Sequence, residues 1–323
     1  MSRRRVGGED VDGREAARRA TRRRAWAELL RLPALFTVPG DALTGAAATG
    51  VRPNSRTLLA IGSSVCLYEA GMALNDWADR EEDAAERPHR PLPSGRIRPA
   101  SALTAACALT AAGLALAARA GWPALTVATP LAATVWAYDL ALKHTPAGPV
   151  AMAAARGLDL LLGAAATTGR TRQALPSAAL LGTHILAVTT VSRRETQGGS
   201  TLPPLAALAT TALLTRLVTH PSPLPTGQPD ATGRAAAPVR PSADGALRTA
   251  LAVAYAATAA RPYTHAALNP SPPLTQRAVG GGICATIPLQ AALSARAGAG
   301  LTAVVIAALA PIGRKYARKV SVT

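Results

Sequence analysis

The chain has 323 residues, 49% of them hydrophobic but only 3% aromatic, and its 35 Lys and Arg outnumber 18 Asp and Glu. A soluble α/β protein is excluded by apolar runs of about 15 to 21 residues, the length that crosses a bilayer core. A nucleic-acid partner is excluded too, because nine arginines lie in the first 24 residues and much of the remaining charge flanks hydrophobic segments, as the positive-inside bias requires.

Residues 1–25 mix acids with arginines and lack an apolar stretch ahead of a small-residue cleavage site, so they read as a disordered basic cytoplasmic tail and not as a signal peptide. Candidate spans follow at roughly 26–50, 57–75, 99–118, 122–142, 148–168, 174–191, 202–219, 246–262, 278–295 and 298–313. Pro33, Pro39 and Asp41 interrupt the first and Pro130 the fourth, so both are expected to kink. With the N-terminus inside, the loop 76–98, the turn at Lys143 and His144, and the loop at Arg193, Arg194 and Glu195 all fall on the cytoplasmic side. Residues 219–245, rich in Pro and Gly, read as a flexible external loop. The basic tail 314–323 holds two of the three lysines, and its charge favours ten spans over nine. Cys66, Cys107 and Cys284 stand singly in apolar segments and are read as small buried hydrophobes.

The predicted fold is therefore all-α: a polytopic protein of the cell membrane with nine or ten transmembrane helices, residues 26–313 forming one domain.

Seven of the eighteen acids fall between Glu69 and Glu86, inside the stretch that ends "NDWADREEDAAERPHRPLPSGRI". Asp76, Asp79 and Asp83 are spaced by three and four, which puts them on one helical face if the helix persists to Asp83. Like charges so placed at a membrane boundary are best explained by a shared divalent cation. Mg²⁺ takes a near-octahedral oxygen shell and completes it with water or substrate phosphate, so these carboxylates supply half a site and a diphosphate the rest. Glu81, Glu82 and Glu86 point away from that face and read as solvated. Arg87, Arg90 and Arg96 follow in a proline-stiffened loop, offering planar donors to phosphate oxygens; plain membrane anchoring accounts for Arg96 and less well for the other two.

Within the spans, Glu69, Asp159, Arg156 and His184 are ionisable groups where such groups are costly. Arg156 and Asp159, three residues apart, admit either an intrahelical pair or a place on a cavity wall. His184 reads as one partner of a helix–helix hydrogen bond.

The acidic stretch resembles the first aspartate-rich signature of the UbiA superfamily of intramembrane prenyltransferases. Asn75, Asp76, Asp79, Asp83 and the run Arg90-Pro91-Leu92-Pro93-Ser94-Gly95 match it without a gap. Upstream, Arg31, Pro33 and the polar residue Asp41 are similar to the family's first helix; downstream, "YDLALKHTPAG" is similar to its Tyr-x-x-x-Lys element, placing Tyr138 and Lys143 near a diphosphate. The resemblance implies a UbiA-like bundle around a central cavity. It also implies Mg²⁺ on Asp76, Asp79 and Asp83, and transfer of a prenyl group from a polyprenyl diphosphate to a hydrophobic, aromatic or quinone-like acceptor within the bilayer.

One element departs. Members carry a second aspartate-rich element before a Gly-x-x-Thr-Leu-Pro stretch, and here "TTVSRRETQGGSTLPP" puts Thr190 and Arg194 where the aspartates would stand. Either Arg193 and Arg194 replace the second metal's charge, with Glu195 as a remaining ligand or helper, or the protein binds an isoprenoid phosphate without turning it over. In the catalytic reading Lys143 and Arg90 stabilise the leaving group, Asn75, Arg87, Tyr138, Arg193 and Arg194 bind substrate together with cavity-lining Arg156 and Asp159, and Glu195 or Asp159 helps activate the acceptor. A transporter is the remaining reading, opposed by the lack of paired broken segments in two halves.

Overall fold

Proline at a helix start loses no intrahelical bond, because the first N–H groups have no partner there. Pro99, Pro123, Pro149, Pro176, Pro203 and Pro272 all stand at such starts and separate one apolar run from the next. The computed structural model describes residues 21–31, 36–193, 199–220 and 243–320, the last through its backbone alone from 312 onward. Among these, α1 covers residues 21–29. It is followed by α2 (Val38–Ala48), α3 (Ser55–Ala78), the short α4 (Arg80–Glu86), α5 (Pro99–Ala120), α6 (Trp122–Ala137) and α7 (Gly148–Thr168). The order ends with α8 (Leu175–Ser192), α9 (Leu202–Thr219), α10 (Ala243–Leu268), α11 (Pro272–Arg296) and α12 (Gly300–Val320).

The protein is an all-α polytopic membrane bundle. Seven helices among the described residues are long and apolar enough to cross a bilayer: α3, α5, α6 with its continuation to Leu142, α7, α8 with its 3₁₀ lead-in, α9 and α11. The expected span 26–50 is two helices instead of one. α1 ends before Arg31, which holds a left-handed backbone (φ 47°) unusual for a side-chain-bearing residue, and α2 starts again at Val38. Structure also begins earlier than the expected tail boundary, since residues 21–25 are already helical and Ala25 is buried. The basic stretch from residue 314 stays helical to Val320. Residues 1–20, and 221–242 of the expected external loop, lie outside the described residues.

One hydrophobic cluster joins α7 to α8, α9, α10 and α11, and a second joins α2, α3, α5, α6 and α7, so α7 serves both halves. Small residues set the closest crossing. A Cβ on Gly163 of α7 would land on the backbone of Ala42 of α2, and one on Gly45 of α2 on the carbonyl of Leu160. This contact is what membrane helices use in place of a hydrophobic driving force. Cys107 and Cys284 are exposed on the bundle's outer face, not buried as expected; a span's lipid-facing side is as apolar as its core, so hydropathy alone cannot distinguish them.

His184 of α8 meets its expectation. Its Nδ1 is 3.1 Å from Tyr255 Oη on α10 and its Nε2 3.0 Å from the Gly282 carbonyl on α11, all buried. His184→Ala removes both of these buried cross-helix bonds, a cost of about 1–3 kcal/mol. The expected result is a lower thermal unfolding midpoint in detergent with diphosphate binding unchanged; an unchanged midpoint would show that the bond ties nothing together.

Candidate diphosphate and metal site

Helix α3 is held at its start by a capping box, in which Asn54 Oδ1 accepts from the Arg56 and Thr57 backbone N–H groups and Thr57 Oγ1 from the Asn54 N–H. It runs through Asn75 and Asp76 to Ala78 and is interrupted at Asp79, after which α4 begins at Arg80. That break divides the acidic face. Asp76 and Asp83 are buried together around one arginine: Arg90 Nη1 donates to Asp83 Oδ2 at 2.7 Å and lies 3.8 Å from Asp76 Oδ1. Arg31 Nη2, placed by its left-handed backbone, donates to the same Asp76 oxygen at 3.3 Å. Arg87 sits 3.6 Å from Asp83 Oδ1, and Arg96 turns away to Glu28 and the His89 carbonyl, both at 2.6 Å.

Asp79 joins a different group. Its Oδ1 is ion-paired with Lys143, and its Oδ2 accepts from Asn75 Nδ2 at 3.2 Å. Asn75 also donates to Asp139 Oδ1 at 3.2 Å. Asp139 lies in a π-helical turn, Tyr138–Leu142, which extends α6 and sets Tyr138, Asp139 and Lys143 against the end of α3; such turns re-aim side chains at functional sites. Asp139 is not among the expected site residues, although an acid beside Tyr138 in the last turn of a span is the available signal. Glu82, expected to be merely solvated, is exposed yet brings an oxygen within 4.8 Å of ligand atoms of Asp79 and His144, close enough for the three to share one cation.

Next to this polar end lies a cavity of about 220 Å³ between α3, α6 and α7. Leu67, Met72, Leu131, Val135 and Met152 form its apolar wall, with Arg31, Asn75, Tyr138 and Asp139 toward the acidic turn and Ser64, Arg156 and Asp159 farther along. Arg156 and Asp159 therefore both line the cavity, but not as a pair with each other: Arg156 Nη2 is 2.9 Å from Asp41 Oδ2 on α2, and Asp159 accepts from the Ser64 hydroxyl. Of the scarce rings, Tyr68 and Tyr138 line the cavity, whereas Trp136 donates to Thr110 and Trp77 lies under the Arg80 guanidinium. Arg193 donates to the Thr145 carbonyl, which brings the turn after α8 beside the Lys143 turn. Arg194 and Glu195 lie outside the described residues.

The membrane bundle thus gathers carboxylates, arginines and a lysine at one end of an apolar cavity. The chain belongs to the UbiA prenyltransferase family, whose model matches residues 34–219. It is 37% identical over 145 residues to the digeranylgeranylglyceryl phosphate synthase of Methanothrix thermoacetophila, covering 44% of this chain and 54% of that protein. Against the Methanopyrus kandleri enzyme of the same name the identity is 34% over 148 residues, covering 44% and 53%. The chain thus spans about half the length of the curated relatives it matches. The fold is similar along nearly the whole of the solved UbiA homolog from Aeropyrum pernix K1, at TM-score 0.60 and 19% identity, covering 83% of this chain and 96% of that one. It is similar too to the Archaeoglobus fulgidus homolog solved with GPP and Mg²⁺, at TM-score 0.51 and 16% identity, covering 85% and 99%.

Proposed function

We propose that this chain transfers a prenyl group from a polyprenyl diphosphate to a small hydrophobic acceptor within the membrane, with Mg²⁺ as cofactor. One observation carries the reading: Asp76, Asp79 and Asp83 meet Arg31, Arg90 and Lys143 at one end of an apolar intramembrane cavity. The carboxylate-rich donor set suits a hard cation. Asp79 with Glu82 and His144 could share one, and Asp76 and Asp83 add carboxylates now paired with arginines. Bound there, Mg²⁺ would neutralise charge developing on departing pyrophosphate.

The chain's own residues do the rest. Arg31, Arg90 and Lys143 are positioned to exchange their carboxylate partners for phosphate oxygens, with Arg87, Asn75 and Tyr138 beside them. The allylic cation left behind needs a dry pocket, which Leu67, Leu131 and Val135 provide, and the rings of Tyr68 and Tyr138 offer π faces to it. Arg193, held beside Thr145, supports the view that arginines here stand in for the relatives' second acidic element. The arginine-dense N-terminus supports a cytoplasmic placement for it and for the acidic turn in the cell membrane.

Lys143→Met is expected to weaken diphosphate binding about 10- to 100-fold, the loss of one charge-assisted contact. Titration of the purified protein with a non-hydrolysable prenyl diphosphate reads this directly, and unchanged affinity would remove Lys143 from the site. For the reaction itself, protein in bilayers is incubated with labelled prenyl diphosphates of several lengths and either aromatic, quinone-like or glyceryl phosphate acceptors, following pyrophosphate and prenylated product together. Binding without cleavage for every pair would favour an isoprenoid-phosphate binding protein instead.

A further inference from the structure

The cavity has a second polar end that diphosphate chemistry leaves unused. Ser64 stands eleven residues before Asn75 on α3, roughly 16 Å along the axis at about 1.5 Å per residue, near the middle of the helix. There Asp159 and Arg156, one turn apart on α7, line the wall with Ser64. Behind them Asp41, 0% exposed, pairs with the Arg156 guanidinium and accepts from Gln290 Nε2 at 2.6 Å, while Gln290 also donates to the Thr37 carbonyl at 2.9 Å. A guanidinium paired with Asp41 and a second carboxylate, Asp159, bonded to Ser64, thus lie deep in a membrane bundle. Such a set is costly to bury and gains nothing from a hydrocarbon tail, so it belongs to a polar ligand group.

Resting on the transferase reading, we propose that this end anchors the acceptor through an uncharged hydroxyl group, with the acceptor's reacting position directed toward Asn75 and Tyr138. A hydroxyl donates to Asp159 and accepts from Arg156 at the same time. A carboxylate or phosphate in that place meets Asp159 with Asp41 close behind, and the one guanidinium that would offset it is already paired with Asp41. The wall selects against the kind of phosphate-bearing molecule that the names of the archaeal relatives contain. Asp159 binds, and Asp41 and Gln290 act as positioning residues for Arg156.

The test uses the full chain in nanodiscs and two matched pairs: hydroquinone against 4-hydroxybenzoate, and a 1-O-alkylglycerol against its phosphate. Equilibrium binding and transfer from geranylgeranyl diphosphate are both measured. The uncharged member of each pair should bind at least about tenfold tighter. Asp159→Asn should bring each pair within about threefold and raise KM for the uncharged acceptor more than it lowers kcat, leaving the diphosphate Kd unchanged. Ser64→Ala should shift selectivity the same way to a smaller extent, and it serves where the Asn variant does not fold. Equal or tighter binding of the anionic members by the wild-type chain overturns the proposal. Preference for the uncharged members without any diphosphate cleavage supports the hydroxyl site and overturns the transferase reading, whereas transfer to the anionic members does the reverse.

Discussion

Asp79→Asn is expected to lower metal-dependent pyrophosphate release about 10²- to 10³-fold, the scale on which one preorganised electrostatic partner of a transition state is lost. Asp79 is singled out because it alone of the three aspartates contacts Lys143, Asn75 and the cation-sharing group with Glu82 and His144. Asn keeps the shape and loses the charge, so the protein should still insert, extract as a single species and unfold at nearly the wild-type temperature. Asp76→Asn should reduce release too, and it also frees Arg31 and Arg90 from one partner. Unchanged release in Asp79→Asn would separate the acidic turn from the chemistry.

The second large effect concerns stability. Gly163→Val places a branched side chain where even a Cβ would strike the Ala42 backbone, so α2 and α7 must separate. Overpacking costs about 1–3 kcal/mol where neighbours can yield, and here the neighbour is main chain. The unfolding midpoint in detergent should drop by roughly 5–10 °C. Diphosphate turnover should fall with it, because Asp41 rides on α2 and holds Arg156 of α7. Gly280→Ala on α11 is the control, since a Cβ there meets nothing within 4 Å. A midpoint as little changed in Gly163→Val as in the control would contradict the close crossing.

Hydropathy was enough to locate most of the long helices, because bilayer thickness fixes span length, and a proline stands at the start of six of them. The N-terminal region failed where that logic fails: a break at a left-handed Arg31 has no hydropathic mark, so α1 and α2 read as one span. At the site, the aspartate spacing located the acidic turn but not its division, since the interruption between α3 and α4 at Asp79 leaves no mark in the spacing. Asp139 was hidden for a related reason. Its π-helical turn shifts it into register with Asn75, and a 3.6-residue period does not show that shift. Asp41 and Arg156 were visible singly, whereas their pairing across α2 and α7, with Gln290 from α11, is a long-range fact of packing.

The most direct measurement is pyrophosphate release from a labelled prenyl diphosphate by the purified protein in bilayers, with Mg²⁺ and after chelation, counted against prenylated product. Release that requires the metal and matches product one for one is the predicted result. Tight binding of the diphosphate with no release under either condition would contradict a transferase and leave a lipid-phosphate binding protein.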